Sequence, residues 1–423
     1  MQRQAKDKMW KRWGLFQATD FQSLMYPCFT FCRILGIFPY KLKASTFEAS
    51  KPCYILSIVI SCIYCVFDVI LIHGIIASKM DFGSVTKKLQ VTIYYVSSDF
   101  LVIITHVLNS ARMRLSQTML EISAILPPDS YQELSRFIHT KDILAIILRI
   151  INIYLNFYKL LTYQLNFTET PLSLNIILVI TIFTVYAALL ELQINMLYIN
   201  YICVLKACFK RINDNLAHIQ KLMINDMKQC NLGLISRVHR NQVLLVELQT
   251  LRKQHLMISN TVQMLNIVFS LPLLASIILC FCVTIFDLYF NAVHWNMQDG
   301  IFISLDRYLL DRLLTAMMYN CVKIVLLAWA CETTKNQAEG IVTTIHDLLN
   351  STDNKQIKKE LQLFSLQTLH CKNIFSPKGF TVDSTLLATT VGTIAMYLLI
   401  LLQFLNMSHS CDEKAAISVT QPN

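Results

Sequence analysis

The sequence predicts an all-α, polytopic membrane protein with seven transmembrane helices. Its 423 residues are 54% hydrophobic and 15% charged, and the mean hydropathy is +0.47. A soluble chain carries roughly 25% charged residues, so this composition excludes an ordinary soluble protein and also intrinsic disorder. Most of the 14 cysteines lie inside apolar runs, which indicates buried thiols and not the disulfide framework of a small secreted domain.

Seven apolar stretches are close to the roughly 20 residues that a helix needs to cross a bilayer. The apolar runs are continuous and do not alternate with polar residues, which favours helices over membrane strands. The predicted spans are residues 53–77, 89–109, 143–165, 174–203, 258–286, 313–331 and 382–406.

The distribution of basic residues predicts the orientation. If the N-terminal segment 1–52 is cytoplasmic, 28 of the 37 Lys and Arg fall in cytoplasmic regions, and six fall in the outer loops and the tail 407–423. Cytoplasmic loops are enriched in Lys and Arg, so we expect a cytoplasmic N-terminus and an extracellular C-terminus in a plasma membrane. The net charge of +10 then reflects topology and contact with anionic lipid, and no nucleic-acid partner is expected. Segment 15–40, with Pro27 and Pro39, predicts a cytoplasmic or interfacial helix and not a span.

Two cytoplasmic regions carry apolar residues at helical spacing. The loop 204–257, within the block 53–331 of spans one to six, predicts amphipathic extensions of spans four and five with a break near Asn231. The segment 332–378 predicts further helices below the membrane. These apolar stripes can be buried against other subunits or within one chain, and the pattern leaves both open. The stripe residues are Leu216, Ile219, Met223, Leu244, Leu248, Leu251, Ile341, Ile345, Leu348, Leu361, Leu363, Phe364 and Leu369.

The segment 379–406, which contains the last span, carries the most specific pattern. It has a Gly-Phe start, an aspartate followed by paired leucines, and a tyrosine followed by five apolar residues and Gln-Phe. The matching residues are Gly379, Phe380, Asp383, Leu386, Leu387, Tyr397, Gln403 and Phe404. This resembles the C-terminal signature of insect gustatory receptors. Met396 stands where that signature has a threonine.

The resemblance implies a fold and a function. Members of that family are similar to odorant receptors in fold, assemble as tetramers around a pore lined by the last helix, and conduct cations when a ligand binds. The expected protein is therefore a tastant-gated, non-selective cation channel subunit of chemosensory neurons. It would form a homotetramer, or a heterotetramer with other gustatory receptor subunits.

The last span also predicts a gate on physical grounds. Gln403 is an amide near the outer end of an apolar helix, so it should face protein or water and not lipid. In a four-fold pore, Gln403 and Phe404 would form the outer gate. Apolar residues below them could block ions by dewetting; the further gate residues are Tyr397, Met396, Leu399 and Ile400. The alternative is that Gln403 caps the helix end.

Polar residues in the outer halves of three spans predict a ligand pocket, because intramembrane ionisable groups are functional candidates by default. On span three, Asn152, Asn156, Lys159 and Tyr163 form one helical stripe. The candidates are Tyr95, Asp99, Asn156, Lys159, Tyr163, Arg312, Tyr319, Asn320 and Lys323. The alternative is a network of buried pairs, such as Asp99 with Lys159 or Lys323. Glu191 and Asp68 lie deeper and are expected to be paired structurally.

The remaining sequence motifs bear on glycosylation and on which classes of function are expected. Asn166 starts the sequon 166–168 in an outer loop and is the expected glycosylation site. The sequence has no Gly-rich phosphate loop, HExxH or GxSxG motif and no metal-ligand cluster, so we expect no enzyme, no cofactor and no metal site. A secondary transporter of a small polar solute stays open as the alternative, although it should show inverted repeats. A G-protein-coupled receptor is opposed by the charge bias, which places Asp306-Arg307-Tyr308 outside.

Overall fold

The structure, a computed structural model, is a helical bundle with one small hairpin. It describes residues 15–43, 46–77, 85–167, 174–228, 234–297, 307–375 and 384–419, without the side chains of 42–43, 159–167, 312, 404–419 and some helix ends. The elements in chain order are α1 (Phe21–Ile34), β1 (Tyr40–Lys43), β2 (Thr46–Ala49), α2 (Lys51–Ile76), α3 (Val85–Val107), α4 (Asn109–Ser123), α5 (Pro128–Phe167), α6 (Leu174–Lys228), α7 (Leu234–Met297), α8 (Arg307–Ser351), α9 (Lys355–His370) and α10 (Ser384–Val419).

The described parts of all seven predicted spans lie in helices, from α2 to α8 and in α10. Within the described ranges, four helices are long and apolar enough to cross a membrane, and the bent pair α3–α4 would be a fifth. The apolar part of α10, Ala388–Gln403, is shorter. A multi-pass helical membrane protein is therefore confirmed, whereas the number of seven spans and the orientation of the termini stay predictions.

Helix α6 is the centre of the bundle. Every residue from Leu190 to Leu205 is buried, and α6 makes its most extensive contact with α8. A helix without a polar face is buried by protein or lipid. Here the long, mostly apolar run of span four is buried by the other helices of the bundle. Helices α2, α3, α5, α7 and α8 surround it and position the candidate site.

The second predicted span is not straight. Helix α3 ends at Val107, and α4 leaves it at an angle of 59°. Arg112, which is 1% exposed, donates from Nη2 to the carbonyl oxygen of Thr105 and to Asn109 Oδ1, the latter at 3.1 Å. The guanidinium thus satisfies a carbonyl that the bend removes from the regular helical hydrogen-bond ladder.

The N-terminal segment contains the expected helix and also a hairpin that the sequence analysis did not predict. Asp20 caps α1 by accepting from the Ser23 backbone N–H at 2.7 Å. The antiparallel strands β1 and β2 are stabilised by aromatic packing. Phe38 stacks on Phe29 with 4.6 Å between ring centroids, and Phe47 meets both rings edge-on.

The predicted amphipathic stripes are mostly buried within one chain. Helices α6 and α7 continue far past spans four and five, α8 runs on to Ser351, and α9 packs on α7 and α8. Ten of the stripe residues are buried at below 5% exposure, and Met223 at 8%. Leu363 and Leu369 of α9 are exposed, so only this part of the stripe is left for another subunit. The expected break at Asn231 lies outside the described residues.

We expect Glu360→Ala to lower the free energy of unfolding by about 2 kcal/mol, because a buried charged hydrogen bond is lost. Glu360 Oε1 accepts from Arg252 Nε at 2.6 Å and joins α9 to α7, and its side chain is only 8% exposed. The control is Lys335→Ala, which removes an exposed ion pair to Glu339 at 3.9 Å and should change stability by less than about 0.5 kcal/mol. Thermal unfolding of the purified full chain in detergent measures both, and equal effects would contradict the prediction.

Two helices end later than the sequence analysis predicted. Helix α5 runs to Phe167, so Asn166 lies in its last turn and not in an outer loop. No glycine or proline occurs between Pro128 and Pro171 to end the helix earlier. Helix α10 continues to Val419, past the predicted end of the span at residue 406. Glycosylation of Asn166 stays a prediction.

Candidate functional site

Six helices enclose a cavity of about 420 Å³ on one side of the central helix. The walls come from α2, α3, α5, α6, α7 and α8, and most of the lining is apolar or aromatic. A volume of roughly 300–1,000 Å³ with a few convergent polar groups is typical of small-molecule sites.

One end of the cavity, which we call the floor, holds an ion cluster of Arg149, Glu191 and Lys323. Glu191 Oε1 accepts from Lys323 Nζ at 2.7 Å and from Ser276 Oγ at 2.9 Å, and Oε2 accepts from Arg149 Nη2 at 3.1 Å. The Arg149 guanidinium lies over the Tyr319 ring, with 4.6 Å from Cζ to the ring centroid. Because both oxygens of Glu191 are occupied, the cluster fixes α5, α6, α7 and α8 relative to one another.

The walls above the floor carry neutral polar groups. Tyr95 Oη and Thr184 Oγ1 are 3.4 Å apart, and Asn320 Nδ2 donates to Thr284 Oγ1 at 3.1 Å. Asn156 Nδ2 donates to the Asn152 carbonyl oxygen at 2.8 Å. Lys87, near the start of α3, and Asp287, about 10 Å along α7 from Cys280 at 1.5 Å per residue, also line the cavity, away from the floor cluster.

Four of the nine predicted pocket residues line the cavity: Tyr95, Asn156, Tyr319 and Asn320. Lys323 lies behind Glu191 and contributes charge to the floor. The alternative pairing of Asp99 with Lys323 is wrong, because Lys323 binds Glu191, and Asp99 is not among the residues that line the cavity. The side chains of Lys159, Tyr163 and Arg312 lie outside the described residues.

The two deeper carboxylates behave differently. Glu191 is paired, as expected. Asp68 is fully buried and forms no ion pair among the described residues; the polar groups next to it are Tyr64 of the same helix and Asp99 of α3. Neither neighbour supplies a positive charge, so Asp68 lacks the counter-charge expected of a structural pair.

Sequence reasoning missed the two most important floor residues. Arg149 and Glu191 line the cavity but were not among the ligand-binding candidates. Arg149 precedes Asn152 by three residues, so it extends the predicted polar stripe of span three by one helical step. Extending that stripe inward would have found it. Glu191 gave a weaker signal, because an isolated carboxylate in a span does not indicate which helix supplies its partner.

Helix α10 packs against α7 and α8. Phe281 of α7 and Tyr397 of α10 meet edge-on, with 5.9 Å between ring centroids and 86° between ring planes. Leu279 and Cys280, the residues just before Phe281, line the cavity. The residue that contacts the predicted gate helix, Phe281, therefore directly follows a cavity-lining residue in sequence.

Much of α10 has no cover in the single chain. Met396, Tyr397, Leu399, Ile400 and Gln403 are all exposed, as is the small-residue row Thr385, Ala388, Gly392 and Ala395. The side chain of Phe404 lies outside the described residues, as do Gly379, Phe380 and Asp383.

The apolar helices, the internal cavity and the partly uncovered last helix together define a polytopic helical membrane protein with a small-molecule-sized cavity. The sequence profile of the 7tm Chemosensory receptor family matches residues 25–407. The chain therefore belongs to this family, which confirms the resemblance seen in the last helix.

Two insect gustatory receptors are similar to this chain in sequence. The putative gustatory receptor 28b of Drosophila melanogaster is 24% identical over 258 residues, which cover 58% of this chain and 52% of that protein. The putative gustatory receptor 28a of the same insect is 29% identical over 166 residues, 39% of this chain and 36% of that protein. The matched part thus spans about half the length of the first relative and about a third of the second.

Solved structures show the same fold. The olfactory receptor OR5 of Machilis hrabei superposes with a TM-score of 0.64 at 15% identity, over 90% of this chain and 98% of that chain. Its complex with eugenol gives a TM-score of 0.63 at 14% identity, with the same coverage.

Proposed function

We propose that this protein is a gustatory receptor subunit of the plasma membrane of chemosensory neurons, and that it forms a tetrameric, non-selective cation channel gated by a tastant. The tastant binds in the cavity, and α10 of each subunit lines the pore. One observation carries the proposal. Leu279 and Cys280 line the cavity, and the next residue of α7, Phe281, contacts Tyr397 of the predicted pore helix.

The chemistry of the cavity supports small-molecule binding. Its walls combine aromatic and aliphatic side chains with hydrogen-bonding groups, and an olfactory receptor with the same fold has been solved with eugenol. A ligand can open the pore only by binding the open state more tightly than the closed state. Because four helices meet at the floor ion cluster, a ligand bound there contacts side chains of several helices, so its affinity depends on how those helices are arranged.

The uncovered surface of α10 supports assembly around a pore. Leu399 is 60% exposed and Met396 is 53% exposed, and an added Cβ at Gly392 would meet nothing within 4 Å. Small residues in membrane helices allow close helix approach. In a tetramer this surface would divide between subunit contacts and the pore lining.

Ligand-evoked current tests the proposal. The full chain is expressed in cells without endogenous receptors, and current is recorded from excised patches without GTP across a panel of tastants. We expect cation current that persists in the patch. Solute flux without current would favour the transporter, and current that requires GTP would contradict an intrinsic pore.

A C-terminal epitope tag tests the orientation. We expect staining on intact cells, because the predicted charge distribution places the tail outside. Staining that appears only after permeabilisation would contradict the orientation and, with it, an outer gate at Gln403.

We expect Gln403→Ala to raise the basal open probability at least threefold. Gln403 is an exposed amide on the apolar helix α10, and a ring of four such amides stabilises a closed constriction by about 0.6 kcal/mol per hydrogen bond. Single-channel recording measures the change. The matched control is Gln356→Ala, an exposed glutamine on α9 outside the predicted pore, which should gate normally. Unaltered gating and permeation in Gln403→Ala would remove this residue from the gate.

A further inference from the structure

We propose that the floor of the cavity binds the carboxylate of a small aromatic anion. This inference rests on the proposed function, because it specifies the ligand class of the same cavity. It concerns binding only, so it can be tested without measuring current.

The unpartnered polar groups at the floor can both donate hydrogen bonds. Among the described residues, Arg149 Nε and Tyr319 Oη are buried and have no hydrogen-bond partner. A guanidinium carries five N–H donors, and the acceptor recorded for Arg149 is Glu191 Oε2. The Arg149 side chain retains 11% exposure and lines the cavity. Since unpartnered buried donors cost free energy, a ligand that brings a hydrogen-bond acceptor to the floor is favoured.

The charge of the floor favours an anionic acceptor. Two cations, Arg149 and Lys323, face one carboxylate, Glu191, which leaves the cluster with one excess positive charge. Glu191 already accepts three hydrogen bonds, so it has little capacity left for a cationic ligand. The other charged residues of the lining, Lys87 and Asp287, carry opposite charges and lie away from the floor cluster.

The walls define the rest of the ligand. Above the floor, the cavity is lined by Tyr94, Phe157, Ile180 and Val283, and its volume of about 420 Å³ accommodates a single aromatic ring with a short chain. Planar, bidentate recognition of carboxylates is the typical use of arginine in binding sites. An aromatic carboxylate therefore satisfies the floor donors and fills the apolar walls at the same time.

Three probes of nearly equal shape test the inference: phenylacetate, phenylacetamide and phenethylamine. Their binding to the purified full chain in lipid nanodiscs is measured by calorimetry. We expect phenylacetate to bind about tenfold more tightly than phenethylamine, as one charge-assisted hydrogen bond provides, with phenylacetamide between them. Tighter binding of phenethylamine, equal affinities, or no binding of phenylacetate would each overturn the inference.

Two substitutions test which residues cause the preference for phenylacetate over phenethylamine. Arg149→Met should abolish the preference for phenylacetate and still fold, because Glu191 and Lys323 stay paired one to one. Tyr319→Phe keeps the ring and should weaken phenylacetate binding about threefold, as loss of one neutral hydrogen bond does, without affecting phenethylamine. The matched control is Arg114→Met, an exposed arginine on α4, which should bind as the wild type does. A preference that survives in Arg149→Met would overturn the assignment.

Different results would refute the carboxylate site and the channel. Carboxylate-selective binding without any evoked current would leave the inference standing and refute the channel. Current evoked by tastants without carboxylate selectivity in nanodiscs would do the opposite.

Discussion

Glu191→Gln should destabilise the protein by about 3–5 kcal/mol, because it leaves two buried cations without a counter-charge. Glu191 is 4% exposed and Lys323 is 6% exposed, so solvent screens the remaining charges only weakly. Arg149 and Lys323 would then repel each other at the junction of four helices. We expect a large fall in the thermal midpoint of the purified full chain and loss of surface expression.

Lys323→Met provides the sharpest comparison, since it removes the other half of the same ion pair. Glu191 would still accept from Arg149 Nη2 and Ser276 Oγ, and the cluster would become neutral. We expect a loss of no more than about 1 kcal/mol, because replacing the excess cation by an apolar side chain also removes its desolvation cost. If the two substitutions destabilised the chain equally, the floor would not carry an excess positive charge.

Much of the helical architecture could be predicted from the sequence, because it depends on local properties of the chain. The apolar runs of α2, α6, α7 and α8 are long enough to fix those helices by composition alone. The buried stripes of α8 and α9 followed from apolar spacing at Ile341, Ile345 and Leu361, which are 0% exposed. The resemblance in α10 identified the family from a short, specific pattern that ends at Gln403 and Phe404.

The floor cluster was missed because it depends on contacts between helices that are distant in sequence. Glu191 and Lys323 are 132 residues apart, and no spacing rule pairs residues at that separation. The bend before α4 depends on Arg112, whose guanidinium reaches a backbone carbonyl and not a charged partner. The hairpin of β1 and β2 depends on Phe29 from the preceding helix, so its short strands carry no strong signal of their own.

The contact between Phe281 and Tyr397 also joins distant segments, and it connects the cavity wall to the proposed pore helix. Leu279 and Cys280 of α7 line the cavity, and Phe281 reaches α10 from the adjacent position. Such a contact transmits a change of state only if its geometry differs between the closed and open forms. Removing the ring should therefore separate binding from gating.

Phe281→Ala is accordingly expected to lower the ligand-evoked open probability about tenfold while ligand affinity changes little. An aromatic pair contributes about 0.5–1.5 kcal/mol beyond its buried area, and four subunits would lose it together. Affinity is measured by calorimetry on the purified chain, and open probability by single-channel recording of the same variant.

The control for Phe281→Ala is Phe290→Ala, because the ring contacts recorded for Phe290 are with Phe286 and Tyr289 of its own helix. This variant should respond to ligand as the wild type does. Phe281→Leu, which keeps an apolar side chain but lacks the ring, should give an intermediate response if edge-on contact with Tyr397 is what carries the signal. Normal gating in Phe281→Ala would show that the signal reaches α10 by another contact of α7 or α8. A parallel loss of affinity and open probability would place Phe281 in the binding site instead.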